Sequence, residues 1–135
     1  YGRRLAKFAK EVIATQTKIN RQGEEVKVEY PARLWTSTMR RTKETAQFIE
    51  HNTIKHTWDN GDETDWVQYR PVERRNLDEI YAGSCDGMTY KEIEEHFPEE
   101  FKRRQQDKLT YRYPRGESYM DVILRMEPIA LELER

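Results

Sequence analysis

Three groups of residues have the types and spacing to do chemistry. The first lies in LWTSTMRRTKETA, Leu34 to Ala46, where a short apolar run ending in Trp35 passes through Thr36-Ser37 into a helical pattern. Arg40 and Arg41 fall in the first turns of that helix. A helix N-terminus carries partial positive charge, so a cation there costs roughly a few tenths of a kcal/mol unless an anion compensates. Backbone N–H groups at a helix start favour phosphate, and a guanidinium fork matches phosphate oxygens, so an anionic ligand would account for the placement. The plain alternative is that both arginines pair with Glu44 or face water.

The second candidate is Glu79, expected between a strand end and the glycine-punctuated loop YAGSCDGM. Partial burial there would raise a carboxyl pKa toward neutrality and suit it to general acid work. With 25 Asp and Glu in the chain, an ordinary surface carboxylate is the alternative. The third is the set Arg103, Arg104, Lys108, Arg112 and Arg115, interleaved with Tyr111, Tyr113 and Tyr119. Cations hold a phosphate and phenols bond hydroxyls, which suits a sugar phosphate. The same mixture could stack on single-stranded nucleic acid, or be a solvated basic loop. His51, His56 and His96 have no metal-ligand spacing with Cys85, no glycine-rich phosphate loop is present, and no nucleophile sits beside an evident base.

These side chains need elements to hold them. Leu5, Phe8, Ala9, Val12, Ile13 and Gln16 share one helical face and predict a helix over about 3–18, stopped by Asn20 and Gly23. An extended segment over 26–30, a short strand at 33–35 and a helix carrying Met39, Thr42, Ala46 and Ile49 follow. Helix, strand, helix in this order reads as an α/β layering with parallel strands. Residues 51–75 lose all periodicity around DNGDETDW and read as an exposed insertion loop. A strand is expected near 72–77. Thr89 and Glu92 form a capping box, Pro98 opens the next helix, and a last helix begins near Ser118 with Pro128 inside it. Proline at such a position kinks a helix or costs on the order of 3 kcal/mol.

The totals narrow the classes of function. The chain has 135 residues, a formal charge of −1 and 36% charged residues. Nothing in that balance points to nucleic acid or acidic membranes. Mean hydropathy is −1.09, yet eight Tyr and three Trp argue against disorder. One cysteine excludes an internal disulfide and favours a reducing compartment. The chain opens at Tyr1 and ends at Arg135 within helical patterns, and is expected to be a piece of a longer protein.

LWTSTMRRTKETA, LDEIYAGSCDGMTYKEIEEHFPEEF and QDKLTYRYPRGESY together resemble the fructose-2,6-bisphosphatase domain of the bifunctional 6-phosphofructo-2-kinase/fructose-2,6-bisphosphatases, a branch of the histidine phosphatase (phosphoglycerate mutase-like) superfamily. The resemblance implies an α/β fold, a three-layer αβα sandwich around a mostly parallel sheet. Residues 1–135 would be the middle of a single such domain, incomplete at both ends, with a loop insertion at about 51–70. It implies transfer of a 2-phosphate to a histidine in an R-H-G-E motif, followed by hydrolysis. Arg41 falls on the family's phosphoryl-binding arginine and Glu79 on the glutamate that protonates the departing sugar. Tyr90, Arg104, Lys108 and Tyr119 fall on contacts to the rest of the sugar phosphate. R-H-G-E and the family's second histidine motif are absent from this sequence, so the chain alone is expected to be inactive. No cofactor is implied for the phosphatase reaction; ATP and Mg would enter only with a kinase domain in the parent. The implied partners are fructose 2,6-bisphosphate and fructose 6-phosphate, without nucleic acid or membrane, in a cytoplasmic protein whose parent is compatible with a homodimer. A non-catalytic sugar-phosphate-binding module is the alternative, and an RNA-binding tract a third reading that the near-neutral charge disfavours.

Overall fold

In the computed structural model, which describes residues 1–135, the first helix, α1, spans Gly2–Phe8 and continues as a π-helical turn over Ala9–Ile13. It ends well short of the expected 18. The N–H of Ala14 bonds the Ala9 carbonyl, the five-residue reach of a π-turn, and the buried Tyr69 hydroxyl donates to the same carbonyl at 2.7 Å. Beyond it, TQTKI pairs as strand β1 (Thr15–Ile19) with β2 (Glu25–Glu29) in an antiparallel hairpin. Three β-branched residues in five outweigh a helical face that had nothing left to pack against. The Asn20 side-chain oxygen accepts the N–H groups of Gln22 and Glu24, and Gly23 takes φ +81°, which closes the turn.

Strand β3 (Leu34–Thr36), helix α2 (Arg40–Ala46) and strand β6 (Pro71–Glu73) form the α/β part of the chain, with β3 and β6 parallel. The stretch read as a structureless loop at 51–70 is instead a second antiparallel hairpin, β4 (Thr53–Thr57) with β5 (Glu63–Val67). Its tip, DNGD, is a turn with Gly61 at φ +86°. Its inner face buries Ile54 and His56, and the His56 ring meets Tyr30 and Trp58 edge-on at 5.2 and 4.6 Å. The Gln68 amide clamps the incoming chain, accepting from Ala32 N–H at 2.8 Å and donating to the Tyr30 carbonyl at 2.6 Å. The mostly parallel sheet expected from sequence is thus one parallel pair and two hairpins. Of the acidic residues that suggested a loop, Asp59 and Asp62 belong to the tip, while Glu63 and Asp65 lie exposed on β5.

The chain forms two compact units, residues 1–75 and 76–135. The first has a core of Ala9, Ala14, Ala32, Ile49 and Tyr69. In the second, Cys85, Ile93 and Tyr113 are buried against Ala82, Phe97, Phe101 and Tyr111. Helices α3 (Tyr90–His96) and α4 (Pro98–Gln106) contribute Ile93 and Phe101 to that second core, and α5 (Tyr119–Leu133) closes the chain. The Thr89–Glu92 box caps α3 as its sequence requires, and Pro98 stands at the start of α4. A second box, Ser118 with Asp121, caps α5. Pro128 lies inside α5 without ending it. Pro128 and Leu124 are both exposed, so water can reach the carbonyl that lost its N–H partner.

Candidate functional site

The chain leaves β3 through Thr36 and Ser37, both buried. Ser37 Oγ and Thr42 Oγ1 are 2.9 Å apart, Thr42 Oγ1 donates to the Met39 carbonyl at 2.8 Å, and Ser37 Oγ accepts the Met39 N–H at 3.3 Å. This hydroxyl chain fixes the strand-to-helix turn and starts α2 with Met39 as N-cap, two or three residues later than the Ser37 or Thr36 start that the sequence suggests. No acidic residue stands in the first turn. Arg40 turns back to Glu44, Nε to Oε1 at 2.6 Å, with its side chain 90% exposed. For Arg40 the plain alternative therefore holds. Arg41, the next residue, occupies an exposed position on the same turn.

In the second unit the structure gathers part of the basic, tyrosine-rich set and disperses the rest. Arg104, on α4, points Nη2 at the hydroxyls of Tyr90 (3.4 Å) and Tyr119 (3.2 Å), which stand at the first positions of α3 and α5. Its guanidinium carbon lies 5.0 Å from the Tyr90 ring centre, 5.9 Å from that of Tyr119 and 6.0 Å from that of Tyr113. Both bonds use Nη2, so the Nε and Nη1 donors keep an edge for a further acceptor. Helix starts fix both phenols, and three aromatic faces hold the cation. Such an arrangement suits a multiply hydroxylated anion: a guanidinium for the charge and phenols for the hydroxyls.

Tyr113, one of the interleaved tyrosines, is the member of this group that the family resemblance does not single out. It is buried beneath Arg104, its hydroxyl makes no hydrogen bond, and burial pushes its phenol pKa up. The neighbouring cations go elsewhere. Arg112 grips Asp121 through Nε at 2.5 Å and through Nη2, and holds that carboxyl below the usual range. Arg103 faces Glu100 at 3.9 Å, and Arg115 sits on a turn with φ +64°. Lys108 stands exposed on the turn after α4. What distinguishes Arg104 from Arg103 and Arg112 is that Glu100 faces Arg103 and Asp121, in the first turn of α5, takes Arg112.

Glu79 lies on an irregular segment between two 3-10 turns, Arg75–Leu77 and Gly83–Cys85. It is exposed, so the burial expected of a general acid is not present around this residue. Its backbone is nonetheless tightly held. Arg125 and Glu117, which the sequence reading did not single out, bond the chain on both sides of it. On the three histidines, His51 and His96 are exposed while His56 is a core ring. The first unit also has a half-open cavity of about 250 Å³ beside Lys10, Glu50 and Tyr69. Lys10 is paired with Glu50 there at 2.9 Å, which leaves little charge to attract a phosphate.

Residues 15–135 match the model of the Histidine phosphatase superfamily (branch 1). A 6-phosphofructo-2-kinase/fructose-2,6-bisphosphatase of Arabidopsis thaliana is 43% identical over 135 residues, all of this chain and 14% of that protein. A fructose-2,6-bisphosphatase of Saccharomyces cerevisiae is 45% identical over 102 residues, 76% of this chain and 19% of that protein. From the same yeast, a 6-phosphofructo-2-kinase 1 is 41% identical over 146 residues, 99% of this chain and 16% of that protein. The chain therefore spans less than a fifth of the length of these relatives.

Proposed function

The chain belongs to the histidine phosphatase superfamily (branch 1), and from that premise we propose that its intact parent hydrolyses the 2-phosphate of fructose 2,6-bisphosphate to give fructose 6-phosphate and phosphate. The observation that carries the reading is the Arg104 cluster, a cation held among the hydroxyls and rings of Tyr90 and Tyr119. Arg104 and Lys108 hold the sugar's remaining phosphate, and the two phenols bond sugar hydroxyls. Arg41 stabilises the charge on the equatorial oxygens of the transferring phosphoryl group.

The chemistry balances with few parts. A histidine of the parent attacks phosphorus and the P–N bond forms as the bond to the sugar O2 breaks. Glu79 gives its proton to that departing oxygen. The resulting carboxylate then takes a proton from the water that cleaves P–N, releasing phosphate and restoring the acid. Neither a metal nor a cofactor has a role in this sequence of steps; ATP and Mg belong to a kinase domain if the parent carries one. The 135-residue chain contains neither R-H-G-E nor a second histidine motif, and the proposal makes it inactive by itself. In this reading the parent is a bifunctional cytoplasmic regulator of glycolysis.

A second reading has support from one observation: the similar yeast protein whose name is that of a kinase alone. In that reading the parent binds a sugar phosphate at the Arg104 cluster without turning it over. Phosphate release from fructose 2,6-bisphosphate, with trapping of an acid-labile phosphoprotein, separates the two. The first reading expects both signals from the parent. Saturable binding of fructose 6-phosphate without either signal would establish the second.

A further inference from the structure

The segment that carries Glu79 has no helix or strand to hold it, so its conformation depends on what bonds its backbone. One ion pair supplies those bonds. Arg125, in the second turn of α5, donates from Nη2 to the Asp78 carbonyl at 2.6 Å and from Nη1 to the Asn76 carbonyl. The Asn76 amide returns a bond to the Arg125 carbonyl at 2.6 Å. Glu117 takes the other side: its Oε2 accepts the Tyr81 N–H at 3.0 Å, and its own N–H donates to the Tyr81 carbonyl at 2.8 Å. Arg125 and Glu117 are bonded to each other, Nε to Oε1 at 2.9 Å and Nη2 to Oε2 at 3.3 Å. The backbone is thus fixed immediately before Glu79 and two residues after it.

Both side chains are shielded, Arg125 to 20% and Glu117 to 29% exposure, unlike most ion pairs of this chain. Burial pushes the Glu117 carboxyl up, but the Arg125 and Tyr81 hydrogen bonds more than reverse it, and its pKa is lowered. The pair therefore stays ionised at neutral pH and acts as a rigid strut. It stands on the cap of α5, since Glu117 directly precedes the buried Ser118 that caps the helix.

We propose that Arg125 and Glu117 are positioning residues for Glu79, which hold its carboxyl where the departing sugar oxygen needs a proton. The inference rests on the reaction proposed above. An acid moved by about 1 Å from its working place loses on the order of 10²-fold in rate, so the strut controls the proton-donating step in particular. It has little bearing on leaving groups that need no proton.

The test uses the full-length parent and two substrates, fructose 2,6-bisphosphate and 4-nitrophenyl phosphate, whose leaving group departs as a stable anion. Rapid-quench measurement of the first phosphoenzyme turnover isolates the step. Arg125→Ala and Glu117→Gln are expected to slow phosphoenzyme formation from the bisphosphate by about 10- to 100-fold, as Glu79→Gln does, while the nitrophenyl substrate changes by less than about threefold. Should Arg125→Ala not fold, Arg125→Lys serves, because one ammonium cannot bridge two carbonyls and a carboxylate. Equal slowing of both substrates would mean a merely structural pair and overturn the proposal, as would no slowing with either. A Glu79→Gln variant that protonates the bisphosphate leaving group normally removes the acid role itself. A parent that forms no phosphoenzyme from either substrate removes the proposed reaction.

Discussion

Replacing Arg104 by lysine is the most informative single change, because it keeps the charge and removes the fork. In the structure the free-state losses are small. The two phenol bonds are long, at 3.2 and 3.4 Å, and Tyr90 and Tyr119 are 61% and 42% exposed, so water replaces the guanidinium at both hydroxyls. An ammonium also keeps part of the attraction to the tyrosine faces. The expected destabilisation is about 1 kcal/mol or less, a shift of a few degrees in Tm. The substrate complex loses more. A guanidinium can meet phosphate with two charge-assisted bonds and lysine with one, and each such bond is worth about 1.5–3 kcal/mol. KM for fructose 2,6-bisphosphate should therefore rise about 10- to 100-fold with kcat nearly unchanged, the pattern of lost uniform binding. Steady-state phosphate release by the parent, measured without ATP and paired with thermal melts, reads both quantities. An unchanged KM in Arg104→Lys would refute the assignment of this cluster to the sugar phosphate. A fall in Tm of tens of degrees would instead make Arg104 a structural cation.

Two further outcomes follow from the second unit. Gly83→Ala should be among the most damaging substitutions in the chain, costing more than about 4 kcal/mol, and denaturant titration would show it. Gly83 has φ +58°, and a Cβ there would lie 2.1 Å from the Pro114 carbonyl oxygen and 2.5 Å from the Gly116 nitrogen, backbone atoms that cannot step aside. The pH dependence of stability should carry the mark of Glu117. Its folded pKa is lowered, so its stabilising contribution is fully present above the unfolded carboxylate value of about 4.3 and is lost as pH falls through the lower folded value. Stability measured across this acid range should fall less steeply in Glu117→Gln than in the unchanged chain; identical slopes would contradict the lowered pKa.

Local signals carried the sequence a long way. Ser/Thr followed three residues later by an acid marks a helix start within one turn of chain, and Thr89–Glu92 behaves as its spacing requires. Pro98 and the strand expected at 33–35 and found at 34–36 are of the same kind, each written in a few adjacent residues. The Ser118–Asp121 box was equally legible, and the Asn60-Gly61 pair was a readable hairpin signal hidden by the acidic residues around it. Strand over helix at 15–19 was decided by the hairpin partner at 25–29, which no window over the first segment contains.

What the sequence by itself determined is which residue types are present and where the helices with a capping box or a leading proline begin, because both are set by neighbours along the chain. Which cation is neutralised and which remains available was decided only by tertiary structure. Arg104 lies against Tyr90 and Tyr119, fourteen and fifteen residues away, and Arg112 is spent on Asp121, nine residues on. The Glu79 segment is held by Arg125, forty-seven residues from the Asp78 carbonyl it grips. Coulomb and hydrogen-bond energies depend on distance in space, and separation along the chain does not fix that distance once helices have packed.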